Sequence, residues 1–296
     1  MTKTYIPYLF LLPALFFIGA FVIYPILHSF YFSVFDLRVV GQKTIDFIGF
    51  RNFKRLLIDN ERTWEVVRNS LVYTVLVTAG TVLIGLFLAL LLDNEVKGWR
   101  VFRVVFFLPV MLAAVIVAKL WMAFYDPYHG LFNEILRELG LGHLEQVWLG
   151  DHGIALYSII AISIWQYSGY TMVFFIAALQ NIPPDVKEAA RIDGLSNPLS
   201  IARHISIPLI SPVIVTVIML QIIGTLKIFD IIWATTKGGP GVSTTVLSIM
   251  MYREAFLRNN FGYAETIAVF MFLLVLVVSL VYLRIARFGK DLWDPT

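Results

Sequence analysis

Cysteine is absent from the 296 residues, which excludes a disulfide framework, a thiolate metal site and a cysteine nucleophile and leaves the redox compartment unread. Charge is sparse. Asp, Glu, Lys and Arg make up 15% of the chain and hydrophobic residues 59%, and with a mean hydropathy of +0.80 this excludes an ordinary soluble domain. No Gly-x-x-x-x-Gly-Lys-Ser/Thr phosphate loop occurs, so ATP is not bound here in the manner of a nucleotide-driven motor. The histidines, His28, His129, His143, His152 and His204, are scattered without ligand-type spacing, and no metal site is expected. Nothing points to a nucleic-acid partner.

What is present is length in apolar runs. A helix rises about 1.5 Å per residue and the hydrocarbon core is about 30 Å thick, so roughly 20 apolar residues make one crossing. Six runs meet this, over about 9–33, 70–92, 104–124, 154–179, 207–235 and 264–283. The expected fold class is therefore an all-α integral membrane protein with six transmembrane helices, taken as one domain over 1–296. The first run follows Lys3 but is too long for a secretory signal and lacks a small-residue cleavage site, so it reads as a retained anchor. An even number of crossings places both termini on one side. The charge rule does not choose that side: with both termini inside, ten basic residues fall inside against eleven outside, seven of them between Asp36 and Arg68.

The connections differ in kind. Asp93 to Arg103 is short, and its Lys97, Arg100 and Arg103 suit an inner-face turn. Between Asp126 and His152, Leu131, Ile135, Leu136 and Leu139 share one helical face, with Glu134, Arg137 and Glu138 on another. That spacing suits a helix lying on the protein or on the membrane surface. After the fourth run, Pro183-Pro184 stops the helix. A polar island follows: Pro184 fits the first position of a new helix, Asp185 and Glu188 lie in its first turns where negative charge meets the positive helix end, and Gly194 supplies a left-handed exit. Ser196-Asn197-Pro198 then caps a second short helix carrying Arg203 and His204. A helix-glycine-helix hairpin of this kind presents Ala189 and Ala190 beside the Glu188 carboxylate, a surface a partner groove can approach closely.

The run Glu188-Ala189-Ala190-Arg191-Ile192-Asp193-Gly194, closed by Ile205-Ser206-Ile207-Pro208, resembles the EAA loop of the membrane subunits of binding-protein-dependent ABC importers. Four more segments are similar to the carbohydrate-uptake branch of that family, which includes the maltose and glycerol-3-phosphate permeases. Tyr8-Leu9-Phe10-Leu11-Leu12-Pro13-Ala14 with Tyr24-Pro25 resembles its first helix, and Phe47-Ile48-Gly49-Phe50-Arg51-Asn52-Phe53 its first outer loop. Gly238-Gly239-Pro240-Gly241 follows the fifth helix. Tyr252-Arg253-Glu254-Ala255-Phe256 and Phe261-Gly262-Tyr263-Ala264 match the approach to the sixth. The maltose-type subunit has further N-terminal crossings and a large outer domain that this chain does not match, so maltose gains no special support.

The resemblance implies a type I importer permease core in a bacterial or archaeal cell membrane, inner membrane where there are two, with both termini cytoplasmic. It makes 183–208 the loop that couples to ATPase through Glu188, Ala189, Ala190, Asp193 and Gly194. It further implies a second six-helix permease as heterodimer partner, two ABC ATPase subunits that use ATP and magnesium, an extracytoplasmic solute-binding protein, and a sugar or sugar-like substrate. This chain itself is expected to bind no cofactor and to catalyse no reaction.

Polar and aromatic groups deep in membrane helices usually face a cavity. They cluster in the fourth and fifth runs as Trp165, Gln166, Tyr167 and Tyr170, and as Gln221, Thr225, Lys227 and Asp230. Aromatic faces stack on sugar rings while amides and hydroxyls bond their hydroxyls. By position relative to the Glu-Ala-Ala segment, the resemblance places Trp165, Tyr170 and the Gly224 to Ile228 region at sugar contacts. Tyr167 and Tyr170 fit an interfacial belt equally well, Lys227 and Asp230 fit mutual neutralisation, and Lys119 fits reaching toward the headgroups. The pairs Gly85 with Ala89 and Ala114 with Ala118 are spaced for close helix contact. Two other classes stay open, a secondary transporter using Lys227 and Asp230 for ion coupling and an intramembrane enzyme, although the acidic Asp-Asp-x-x-Asp cluster that the enzyme needs does not occur.

Overall fold

A computed structural model describes residues 6–38, 44–93, 98–195 and 197–291. Lys3, Lys97 and Ser196 lie outside the described residues. Among the described residues, four helices are each long and apolar enough to cross a bilayer, Phe10–Phe32, Arg62–Asp93, Ala155–Gln180 and Phe261–Ile285. Two bent pairs, Trp99–Met111 with Ala114–Phe124 and Pro198–Leu209 with Ser211–Leu226, raise the number to six if each pair is one span. The sequence reading took one domain; by packing, the chain forms two compact units, residues up to 64 with 247–274, and 65–246 with 275 onward.

In the first unit, α1 (Ile6–Ile18) passes through a wide turn at Gly19–Ile23 into α2 (Tyr24–Phe32). No side chain of its apolar window is buried. Beyond it, β1 (Phe35–Arg38) pairs antiparallel with β2 (Thr44–Phe47), Phe35 opposite Phe47 and Leu37 opposite Ile45, and the chain turns into α3 (Arg51–Lys54). The outer-loop motif proves structural here: Asn52, 6% exposed, donates to the carbonyls of Ser33 at 3.2 Å and Phe35 at 3.1 Å. Gly262 does similar work, since a Cβ there would stand 2.0 Å from the Phe35 carbonyl oxygen.

The second unit is built around α8 (Ala155–Gln180), 61% of whose most apolar window is buried, against 33% for α4 (Arg62–Asp93) and 28% for the last long helix. Hydrocarbon gives helices no hydrophobic reason to associate, so close packing and hydrogen bonds hold such a bundle. Both are present. Tyr73 of α4 bonds Ser163 of α8 at 2.7 Å, and Thr171 Oγ1 of α8 donates to the Thr81 carbonyl of α4 at 2.6 Å. A Cβ on Gly85 would stand 2.0 Å from Thr171 Oγ1, and Ala89 and Ala118 are fully buried, so the small residues do sit at contacts. Gly169 shows the same constraint more severely: a Cβ there would lie 1.9 Å from the Phe106 carbonyl oxygen.

Two expected spans are corrected. The run 104–124 is broken into α5 (Trp99–Met111) and α6 (Ala114–Phe124), bent by 99°. Pro109 removes a helical donor near the end of α5, and Leu112 and Ala113 are extended, with ψ of 136° and 140°. The run 207–235 is likewise interrupted. The hairpin's second arm, α10 (Pro198–Ile201) with α11 (Ile207–Leu209), meets α12 (Ser211–Leu226) at a 71° bend, where Pro208 and Pro212 flank the joint. Helix α12 then stops at Leu226, its end tightened by Lys227 N–H to Gly224 and Ile228 N–H to Thr225, before α13 (Asp230–Thr235) begins.

The amphipathic helix forms as expected, as α7 (Leu131–Glu138). Its apolar face is turned out: Leu131, Ile135 and Leu139 are exposed, whereas Asn133 is 1% exposed and anchors the loop through the Pro127 and Gln146 carbonyls. Phe132 packs on Trp121 of α6, with centroids 5.8 Å apart. In the loop before it, backbone donation from His129 and Tyr128 holds the Asp126 carboxyl below its usual range. The last elements are α14 (Leu247–Tyr252) in the first unit and α15 (Phe261–Asp291), whose far half returns to the second. There Tyr282 donates to the Val215 carbonyl at 3.2 Å.

Candidate functional site

Between α8 and α12 the chain leaves the bundle as a small hairpin. Pro183 is extended (ψ 136°) and Pro184 opens α9 (Pro184–Ile192), with Asp185 in its first turn and Arg191 in its last. Charges of those signs suit the two ends of the helix dipole. Gly194 takes φ of +96° with open space around it, a conformation glycine adopts without a Cβ clash. Asn197 then caps α10, its side chain accepting from Leu199 N–H at 3.0 Å.

Asp185, Glu188, Ala189, Asp193 and Gly194 are exposed, as are Ile192 (86%) and Leu199 (73%). Ala190 is different. It was expected beside Glu188 on the presented surface, yet it is 4% exposed, because successive helix positions turn by about 100° and Ala190 falls on the face that packs inward. The presented pair is Glu188 and Ala189.

Residues expected along a solute path divide by burial. Trp165 and Tyr170 of α8 and Gly224, Lys227 and Asp230 are exposed on this chain. Gln166, Gln221 and Thr225 are 2%, 9% and 7% exposed and are engaged inside the bundle. Gln166 Nε2 donates to the Leu112 carbonyl at 3.3 Å, supplying a partner at the α5–α6 break. Gln221 Nε2 donates to Thr81 Oγ1 at 2.8 Å, and Thr225 Oγ1 to the Gln221 carbonyl at 2.7 Å. Lys227 and Asp230 do not share a helix turn, since α12 ends at Leu226 and α13 starts at Asp230, and the side-by-side geometry expected of a helical pair is lost. Trp165 joins an aromatic group, its ring 5.5 Å from Trp121, which in turn lies 5.3 Å from Tyr125.

Residues 81–288, which include the hairpin and every residue of the expected path, match the family of binding-protein-dependent transport system inner membrane components. The chain belongs to this family of ABC transporter permeases. A probable ABC transporter permease protein of Pyrococcus horikoshii is 41% identical to it, covering 97% of this chain and 98% of that one. The trehalose/maltose transport system permease protein MalF of Thermococcus litoralis is 34% identical over 96% of this chain and 94% of its own. In fold, the permease is similar to a chain of a bacterial ABC transporter involved in the import of the acidic polysaccharide alginate, with a TM-score of 0.81 at 24% identity over 96% of this chain and 95% of that one.

This permease is thus a multi-pass membrane protein. Its sequence, however, gave no sign of two features of the site. Asp93 closes α4 and meets Lys187 of the hairpin across 94 positions, a separation at which no periodicity reports a contact. Gly169, set against the α5 backbone, lies among the aromatic and hydroxyl residues of α8 that drew attention as a path.

Proposed function

We propose that this permease forms half of the membrane pathway of an ATP-driven importer for a sugar or sugar-like solute. A second six-helix permease forms the other half, an extracytoplasmic binding protein delivers the solute, and two ATPase subunits bind ATP and magnesium. The observation that carries the reading is the hairpin at 183–208, a capped polar projection on which the apolar Ile192 and Leu199 are 86% and 73% exposed. An ATPase surface that closes on ATP binding has there a helix to push and a carboxylate, Glu188, to hold.

Orientation follows from this role: the hairpin faces the compartment that holds ATP, and both termini lie on that side with six crossings between them. The solute class rests on the exposed Trp165 and Tyr170, whose ring faces suit sugar rings, and on relatives named for trehalose/maltose and for sn-glycerol-3-phosphate transport.

The test is reconstitution of the permease with a second permease, ATPase subunits and a binding protein, followed by uptake of labelled trehalose, maltose and glycerol-3-phosphate and by ATPase assays. Glu188→Ala is expected to lower binding-protein-stimulated ATP hydrolysis by about tenfold, a typical size for coupling between sites, with the complex intact. Full stimulation in that variant removes the hairpin from the mechanism, and uptake that persists without the ATPase makes the protein a secondary transporter.

A further inference from the structure

An ion pair joins distant parts of the chain: Lys187 Nζ donates to Asp93 Oδ2 at 2.7 Å. Pairs such as Arg137 with Glu145 and Arg258 with Glu254, by contrast, close local loops or turns. The two side chains are only 22% and 17% exposed. Removing either partner leaves a poorly solvated charge, which costs far more than the loss of a surface pair.

The pair borders a cavity of about 270 Å³ between the end of α4, the start of α5, the end of α8 and the start of α9. Arg103 lines the same cavity, its guanidinium over the Trp99 ring at 4.5 Å and its buried Nε–H without an acceptor among the described residues.

The position matters because of what lies on either side. Toward the hairpin, α9 follows α8 across a break at 181–183, where Pro183 is extended. A break of that kind is a joint about which α9 can swing. Lys187–Asp93 spans it and ties α9 to a second helix. Toward the bundle, α4 runs from Asp93 back to Thr81, about 18 Å at 1.5 Å per residue. Thr81 is where three helices meet: its carbonyl accepts from Thr171 of α8 and its hydroxyl from Gln221 of α12.

We infer that the Lys187–Asp93 pair is a strut that delivers hairpin movement to α4 and, through Thr81, to α12. This rests on the coupling reading of the hairpin. Both are positioning residues, acting through α4 rather than on solute or nucleotide.

The test exploits the absence of cysteine. Leu220→Cys, on α12 and 46% exposed, is introduced into the complete complex, and its maleimide labelling rate is compared with and without ATP plus vanadate. No solute need be known. Asp93→Asn and Lys187→Gln are expected to shrink the nucleotide-dependent change in rate by about tenfold, within the range common for intersite coupling. The exchange Asp93→Lys with Lys187→Asp is expected to restore it, because a coupling between two groups appears as non-additivity.

An unchanged response in both single variants overturns the strut, as does an exchange no better than the singles. Loss of assembly in the single variants without recovery in the exchange makes the pair a folding element and overturns it as well. Glu188→Ala run in parallel separates the two ideas: if it abolishes the response while the strut variants do not, the hairpin still couples but by another route.

Discussion

Two glycines of the bundle set opposite limits on what a methyl group does. At Gly169 a Cβ would press on the Phe106 carbonyl oxygen at 1.9 Å, which is backbone and yields only if α5 and α8 part; at Gly224 nothing lies within 4 Å. Gly169→Ala is expected to lower stability by about 1–3 kcal/mol, as overpacking does, seen as an earlier thermal midpoint in detergent. Gly224→Ala keeps the midpoint, so any change in its uptake belongs to the path. Trp165→Ala is the sharper probe of that path. It removes an exposed ring that touches Trp121, and uptake is expected to fall while assembly holds; wild-type uptake takes Trp165 out of the site.

Among the elements, the hairpin owes its shape to a few caps. Gly194→Ala has room for its methyl group but must hold φ near +96°, costing about 1–2 kcal/mol in a left-handed conformation. The end of α9 then frays and binding-protein-stimulated ATP hydrolysis drops, whereas circular dichroism of the bundle stays unchanged. The hairpin's construction was legible because prolines, an Asn cap and a glycine exit are local signals. The breaks in the third and fifth runs were not, although Pro109, Pro208 and Pro212 were in view, since a hydropathy window registers apolar length and is blind to direction. The contacts of the buried polar groups were not legible for a related reason. Gln166, Gln221 and Thr225 have the composition of a pathway, but a polar group in hydrocarbon is satisfied as well by a neighbouring helix as by a cavity. Their partners, Leu112 and Thr81, are 54 and 140 positions away.

For the whole molecule, a helical membrane protein of several crossings was legible because each crossing demands a long apolar run, while the division into two compact units was not, since it depends on contacts between distant segments. Sidedness is testable without knowing the solute. Ile192 is 86% exposed, and Ile192→Cys in this cysteine-free chain, expressed without ATPase subunits, is expected to react with a membrane-impermeant maleimide in inside-out vesicles and to stay unlabelled in intact cells or spheroplasts. Labelling from the outer side reverses the orientation and with it the coupling role.

The arm at Phe10–Phe32 offers a last point. Its 23 residues reach about 34 Å at 1.5 Å each, yet its apolar window contributes nothing to the interior of this chain. A span of this length crosses a bilayer with some tilt, and the β1–β2 ribbon is tied to its far end by Asn52, which donates to the carbonyls of Ser33 and Phe35, so whatever tilts the arm carries the ribbon along.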